Sequence, residues 1–395
     1  MSRSRGLTAA GLGLAVAAGA VSAGGAMARR ATLQRQRLDG IDGAEVGAAH
    51  PFDWIPDAIL AVTTDDGLSL HVEVDEPVGS ETGPTVVFAH GYCLALGCWI
   101  HQRRALVEAG YRVVCYDQRG HGQSAHGDIA NDTIDQLGRD LHAVIAATTP
   151  TAPLVLVGHS MGGMTVMALA DQHPMVIHER VIAAAFLATT AGGDGLITTG
   201  FGRHLGAAVL RNGPGVLANI AARQGVWRRA RILGRDLESA LVDRFSFGSP
   251  VSQETVRYAA DMLLGTDLTV VAAFLPTLES HDKQAALAAF AGIDTLVING
   301  EEDRLTPPEH SQAIVDALPG CEHVVITDAG HLVMLEHPAL VNANLLALID
   351  RALVGHPAVT GQRKRKVTDI ARRRAVAKAR GSRTPRASRA RAAAR

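Results

Sequence analysis

One short stretch holds residue types that could make and break a covalent bond. Residues 153–162 read PLVLVGHSMG. The apolar run Leu154 to Val157 reads as a buried strand, and the glycines after it mark a sharp turn into a helix from about Met164. Gly158, Ser160 and Gly162 fit the pattern G-x-S-x-G, which holds a serine on a strained turn with its hydroxyl exposed. Bulky side chains at the two flanking positions would collide across such a turn. A serine hydroxyl is a poor nucleophile until a base takes its proton. The chain must therefore supply a base and a group that orients it. His331 follows Asp328-Ala329-Gly330, and Glu301, Glu302 and Asp303 follow Gly300.

These residues need elements to carry them. Two short strands around Asp65-Asp66-Gly67 predict a hairpin. Buried strands are predicted over 85–89, 111–116, 154–157, 181–187, 295–299 and 322–327, the last being the final strand. Helices are predicted over 98–109, 134–147, 164–172, 308–318 and 338–353. Strands alternating with helices of this length predict an α/β fold with a mostly parallel sheet and right-handed crossovers. Ligands in such sheets sit beyond the carboxyl ends of the strands. His90, Asp117, Ser160, the acids at 301–303 and His331 all fall there.

The chain resembles the α/β-hydrolase superfamily, in its serine esterase, lipase and non-haem peroxidase-like branch. The matching pieces are HGY at 90–92, DQRGHGQS at 117–124, GHSMGG at 158–163, GEEDRLTP at 300–307 and GHLVMLEHP at 330–338. The resemblance implies an α/β-hydrolase fold with a helical cap insertion. It implies Ser160 as nucleophile, His331 as base and Asp303, rather than Glu301 or Glu302, as the orienting acid. Asp194 is a distant alternative acid. Developing negative charge needs backbone N–H donors. Met161, directly after the serine, is one expected oxyanion-hole donor, and the resemblance makes Tyr92 the other. Arg119 and Glu336 read as loop-fixing partners. The serine at the elbow argues against the chemistries of the aspartate-nucleophile relatives.

Around this core the expected organisation is an apolar N-terminal membrane anchor or signal segment (1–30), a connector (31–55), the first core part (56–189), a helical cap (190–281), the second core part (282–355) and a basic disordered tail (356–395). The uncharged run from Gly6 to Ala28 fits a membrane span in length and also fits a secretory signal with Ala26-Met27-Ala28 at the cleavage site. A membrane-associated or secreted location follows, with the cytoplasm as the remaining option. In the cap, helices are expected over 202–210, 215–224, 236–245, 253–264 and 268–278, and Val216, Leu217, Ile220, Val270, Phe274 and Leu275 would in part line a greasy pocket and in part pack the cap against itself and the body. Arg228, Arg229, Arg231 and Arg235 form a basic cluster there.

The net charge of -1 hides an imbalance. Residues 363–395 hold 14 basic and one acidic residue, while residues 1–362 hold 24 basic and 38 acidic. The tail is expected to be disordered alone and to meet an anionic membrane or cell-envelope polymer ahead of nucleic acid. Cys93, Cys98, Cys115 and Cys321 form no disulfide framework.

The expected function is hydrolysis of carboxylic esters with an apolar acyl group, on a small-molecule or lipid ester, through an acyl-enzyme and with neither cofactor nor metal. The same groups would also serve an acyltransferase, a thioesterase or a C–C bond hydrolase. A reading from another class is a non-catalytic membrane-associated binding protein.

Overall fold

The computed structural model describes residues 51–77, 83–193, 242–355 and 363–381. The N-terminal apolar segment, the cap helices expected over 202–210 and 215–224, most of that expected over 236–245, Asp194 and the Arg228–Arg235 cluster lie outside the described residues.

The described strands form one sheet in the order β1-β2-β4-β3-β5-β6-β7-β8-β9. They are β1 (Ala58–Thr63), β2 (Ser69–Asp75), β3 (Thr85–Ala89), β4 (Arg112–Tyr116), β5 (Leu154–His159), β6 (Val181–Leu187), β7 (Asp294–Gly300), β8 (Glu322–Ile326) and β9 (Arg363–Val367). β1 and β2 form the expected hairpin, and β2 is antiparallel to β4. Every pairing from β4 through β3 to β9 is parallel.

The central strands carry unbroken apolar runs because the sheet is covered on both sides. Val86 and Phe88 of β3, Val155 and Val157 of β5, and Leu296 and Ile298 of β7 enter one core. Their alternates Val87, Leu154, Leu156 and Val297 enter the other. Each such side chain contributes about 1.5–3 kcal/mol on burial. The sheet is thus a rigid comb. Parallel register places the carboxyl ends of β3, β5, β6, β7 and β8 along one rim.

Helix starts are set by local caps. Thr133 accepts from the Gln136 N–H and opens Ile134–Thr148, and Ser252 accepts from the Thr255 N–H and opens Gln253–Gly265. This helix and Leu268–Glu279 match the cap helices expected over 253–264 and 268–278. Among the described residues, no single helix is long and apolar enough to cross a membrane.

The C-terminus departs from expectation. Strand 322–327 is not the last, and residues 363–381 are not disordered. Arg363–Val367 joins the sheet beside β8, and Ile370–Gly381 is a helix. Composition misleads here because the partners come from the body. β8 without β9 would expose a row of unpaired backbone groups. Body acids receive the strand's cations: Lys366 Nζ donates to Glu301 at 2.5 Å, and Arg365 pairs with Glu322. Asp369 caps the helix by accepting from the Arg372 N–H at 2.8 Å.

Candidate active site

Ser160 directly follows β5, and the helix Met161–Gln172 starts at the next residue, three earlier than the periodicity predicts. Its backbone sits at φ 50°, ψ −118°, a region that costs a non-glycine residue on the order of 1–3 kcal/mol. The surroundings enforce it. The Ser160 N–H donates to the Leu187 carbonyl at 3.0 Å, and its carbonyl accepts from the Gly163 N–H at 2.9 Å and from the Thr189 hydroxyl at 2.7 Å. The flanking glycines permit the turn. A Cβ on Gly158 would lie 2.5 Å from the Gly162 carbonyl oxygen, and one on Gly162 would lie 2.0 Å from that of Ala89. Both obstacles are backbone. Gly162→Ala should therefore cost at least about 3 kcal/mol of stability, read as a lower urea midpoint; an unchanged midpoint would show that the elbow yields.

His331 lies in the loop after β8, and Asp303 in the loop after β7. His331 Nδ1 is 2.9 Å from Asp303 Oδ2. The second carboxylate oxygen, Oδ1, accepts from the Leu305 and Thr306 N–H groups at 2.9 and 3.0 Å, while the Thr306 hydroxyl donates to Oδ2 at 2.8 Å. Four donors thus fill the carboxylate's acceptor positions. Burial alone would push the Asp303 carboxyl up; the adjacent His331 and these hydrogen bonds outweigh it, and the net shift is downward. Glu301 turns to Lys366 instead. His159, beside the serine, donates from Nε2 to the His331 carbonyl at 2.9 Å, with ring centroids 4.7 Å apart. Ser160 and His331 are 7% and 6% exposed, so the pair is screened yet reachable.

The loop His90-Gly91-Tyr92 presses on the serine from the β3 side. A Cβ on Gly91 would lie 3.2 Å from Ser160 Cβ. The Gln118 N–H donates to His90 Nε2 at 2.9 Å, which leaves Nδ1 to donate to the Gly91 carbonyl at 2.8 Å. The Tyr92 hydroxyl donates to the Val271 carbonyl of the cap helix. Val270, Phe274 and Leu278 of that helix form one apolar cluster with Met161 and Met164, and Tyr92 packs against it. Val270 and Phe274 therefore pack the cap onto the body. Met161 opens its helix, so its N–H belongs to the first-turn donors that have no partner within the helix.

Supporting residues fix these loops. Arg119 is forked onto Asp140 (2.6 and 2.8 Å) and Asp66 (2.9 and 3.1 Å). Asp117 accepts from the Leu96 and Gln123 N–H groups. Glu336 accepts from the Gly330 N–H at 2.7 Å and the Gly248 N–H at 3.1 Å, tying the His331 loop to the cap insertion ahead of its two described helices. Burial raises the Glu336 carboxyl above its ordinary value. All four cysteines are free and buried, and burial pushes the Cys93 thiol up to about 12. Thr306, Thr189 and the His159 contact escape a reading of the sequence. Only Thr306 leaves a signal there, the three-residue spacing from Asp303 typical of a side-chain-capped turn.

Burial, chiefly, lowers His90 to about 3, His121 to about 4 and His159 to about 3. An unfolded histidine titrates near 6.5. Between about 6.5 and 4 the unfolded chain therefore binds protons that the folded chain refuses. Stability should fall as pH drops through that window, by up to about 1.4 kcal/mol per histidine per pH unit. Urea midpoints at pH 7 and pH 5 check this; equal midpoints would refute it.

Residues 84–338 match the family described as alpha/beta hydrolase fold. The sequence is 29% identical over 282 residues to 3-oxoadipate enol-lactonase 1 of Acinetobacter baylyi, covering 71% of this chain and 92% of that one. It is 25% identical over 269 residues to a monoacylglycerol lipase of Mycolicibacterium smegmatis, covering 64% and 85%. The fold is similar to the crystal structure of a bromoperoxidase from Bacillus anthracis, with a TM-score of 0.59, 24% identity, and coverage of 74% of this chain and 100% of that one.

Proposed function

Because this chain belongs to the α/β-hydrolase family and is a hydrolase by its relatives, we propose that it cleaves carboxylic esters with an apolar acyl part, using Ser160 as nucleophile. The observation that carries this reading is the Asp303–His331 pair, fully hydrogen-bonded at the acid and in contact with His159, the residue that precedes a serine held on a strained turn. With Nδ1 bound to Asp303, His331 has Nε2 left to take the Ser160 proton. The serine oxygen attacks the ester carbonyl, and the Tyr92 and Met161 N–H groups stabilise the oxyanion. The alcohol leaves with the proton from His331. Water, deprotonated by His331, then attacks the acyl-enzyme, and the acid departs from a restored Ser160.

The names of the two sequence relatives denote a lactone and an acylglycerol as substrates, both carboxylic esters. An apolar acyl part is supported by the serine's neighbours, Met161 and the apolar cluster it shares with Val270 and Phe274. The test is a fluorophosphonate label together with p-nitrophenyl esters of rising chain length. The expected result is a label on Ser160 and a chain-length optimum beyond acetate. Folded protein that takes no label would sink the reading.

A further inference from the structure

The C-terminal strand and helix follow the family match, which ends at residue 338. They touch the loops of both Asp303 and His331. β9 pairs with β8 in parallel from Glu322↔Arg363 to Ile326↔Val367. The ladder continues into the histidine loop, where the Thr327 N–H donates to the Val367 carbonyl at 2.9 Å and the Thr327 hydroxyl to Thr368 Oγ1 at 2.8 Å. Asp328, at φ 60°, stands three residues before His331 and accepts from Arg373 Nε at 2.5 Å. Glu301, two residues before Asp303, accepts from Lys366. Just before the C-terminal helix, Asp369 Oδ2 lies 3.4 Å from His337 Nδ1. A cavity of about 950 Å³ lies between this helix and the chain at 248–250, and the Arg372 guanidinium crosses to the Pro250 carbonyl at 3.1 Å.

We propose that this strand and helix form a strap that braces the acid and base loops from outside, with Lys366 and Arg373 as its positioning residues. The proposal rests on the reading of His331 and Asp303 given above. Glu336 holds the histidine loop from the buried side, through the Gly330 N–H. The strap holds it from the solvent side. Its backbone ladder supplies the register. Its two ion pairs, about half exposed, are individually weak and screened by salt. They act by selecting one seating of the loops, and a misplacement of the base by about 1 Å costs on the order of 100-fold in rate. The strap also brings part of the positive C-terminus onto the acidic body, where the two charges offset each other.

The test is the double variant Lys366→Glu/Arg373→Glu in the full chain, which sets like charges against Glu301 and Asp328. Amide hydrogen exchange at 327–332 should quicken at least about tenfold, and kcat for p-nitrophenyl butyrate should fall about tenfold with KM within twofold. Added salt should raise kcat in this variant, by screening repulsion, and lower it in the parent. Lys366→Arg/Arg373→Lys should keep the parental values. Unchanged exchange would overturn the strap whatever the activity. Faster exchange with unchanged kcat would overturn its positioning role. A folded parent that turns over no ester, with the exchange difference intact, would overturn the esterase reading and leave the strap standing.

Discussion

Ser160→Ala should reduce turnover of p-nitrophenyl esters by at least about 10^4-fold, with its fold intact. The interactions that seat residue 160 run through its backbone, from the N–H to Leu187 and from the carbonyl to Gly163 and Thr189. Alanine keeps all of them, and it retains the Cβ that faces Gly91. The substitution therefore removes the attacking atom and little else. Residual catalysis would come from the oxyanion donors acting on water. The urea midpoint should move by no more than about 1 kcal/mol. Parental rates in the alanine variant would exclude Ser160 as nucleophile. Loss of folding would show instead that the hydroxyl has a structural role.

Asp303→Asn should be nearly as damaging, lowering kcat about 10^4-fold. The reason is the donor pattern around the carboxylate. Oδ1 accepts from two backbone N–H groups, and these cannot turn away. An asparagine must place its oxygen there, which turns its NH2 toward Thr306 Oγ1 and His331 Nδ1, where two donors now point. Thr306 can rotate to accept. His331 can satisfy the amide only by moving its proton to Nε2, and a protonated Nε2 cannot take the serine's proton. Asp303→Ala should leave more activity than Asp303→Asn, because no donor then forces the tautomer. A kcat within tenfold of the parent for Asp303→Asn would refute the assignment of the acid.

Much of this site is legible from residue order. The elbow needs glycine at 158 and 162 because even a Cβ meets backbone. Central strands show as unbroken apolar runs because two cores take alternate residues. Arg119 and Glu336 stand as the loop ties the sequence suggests. The choice among Glu301, Glu302 and Asp303 is different. Three adjacent acids look alike in sequence, and only the turn through Thr306 aims one of them at His331 while Glu301 faces Lys366.

The C-terminus marks the limit most clearly. A segment of arginine, lysine and alanine carries too little apolar surface to fold by itself. Composition measures what a segment can bury alone, so it predicts disorder. It is silent about a sheet edge and body acids that the rest of the fold presents to it. The sequence by itself determined the alternation of strands and helices, the elbow, and the order of serine, acid and histidine, because these depend on local sterics and periodicity. The tertiary structure decided which acid faces the histidine, that Val270 and Phe274 pack the cap onto the body, and that residues 363–367 of the basic tail become a strand of the sheet. Those outcomes depend on groups far apart in the chain, which meet only when the parallel sheet brings its strand ends to one rim.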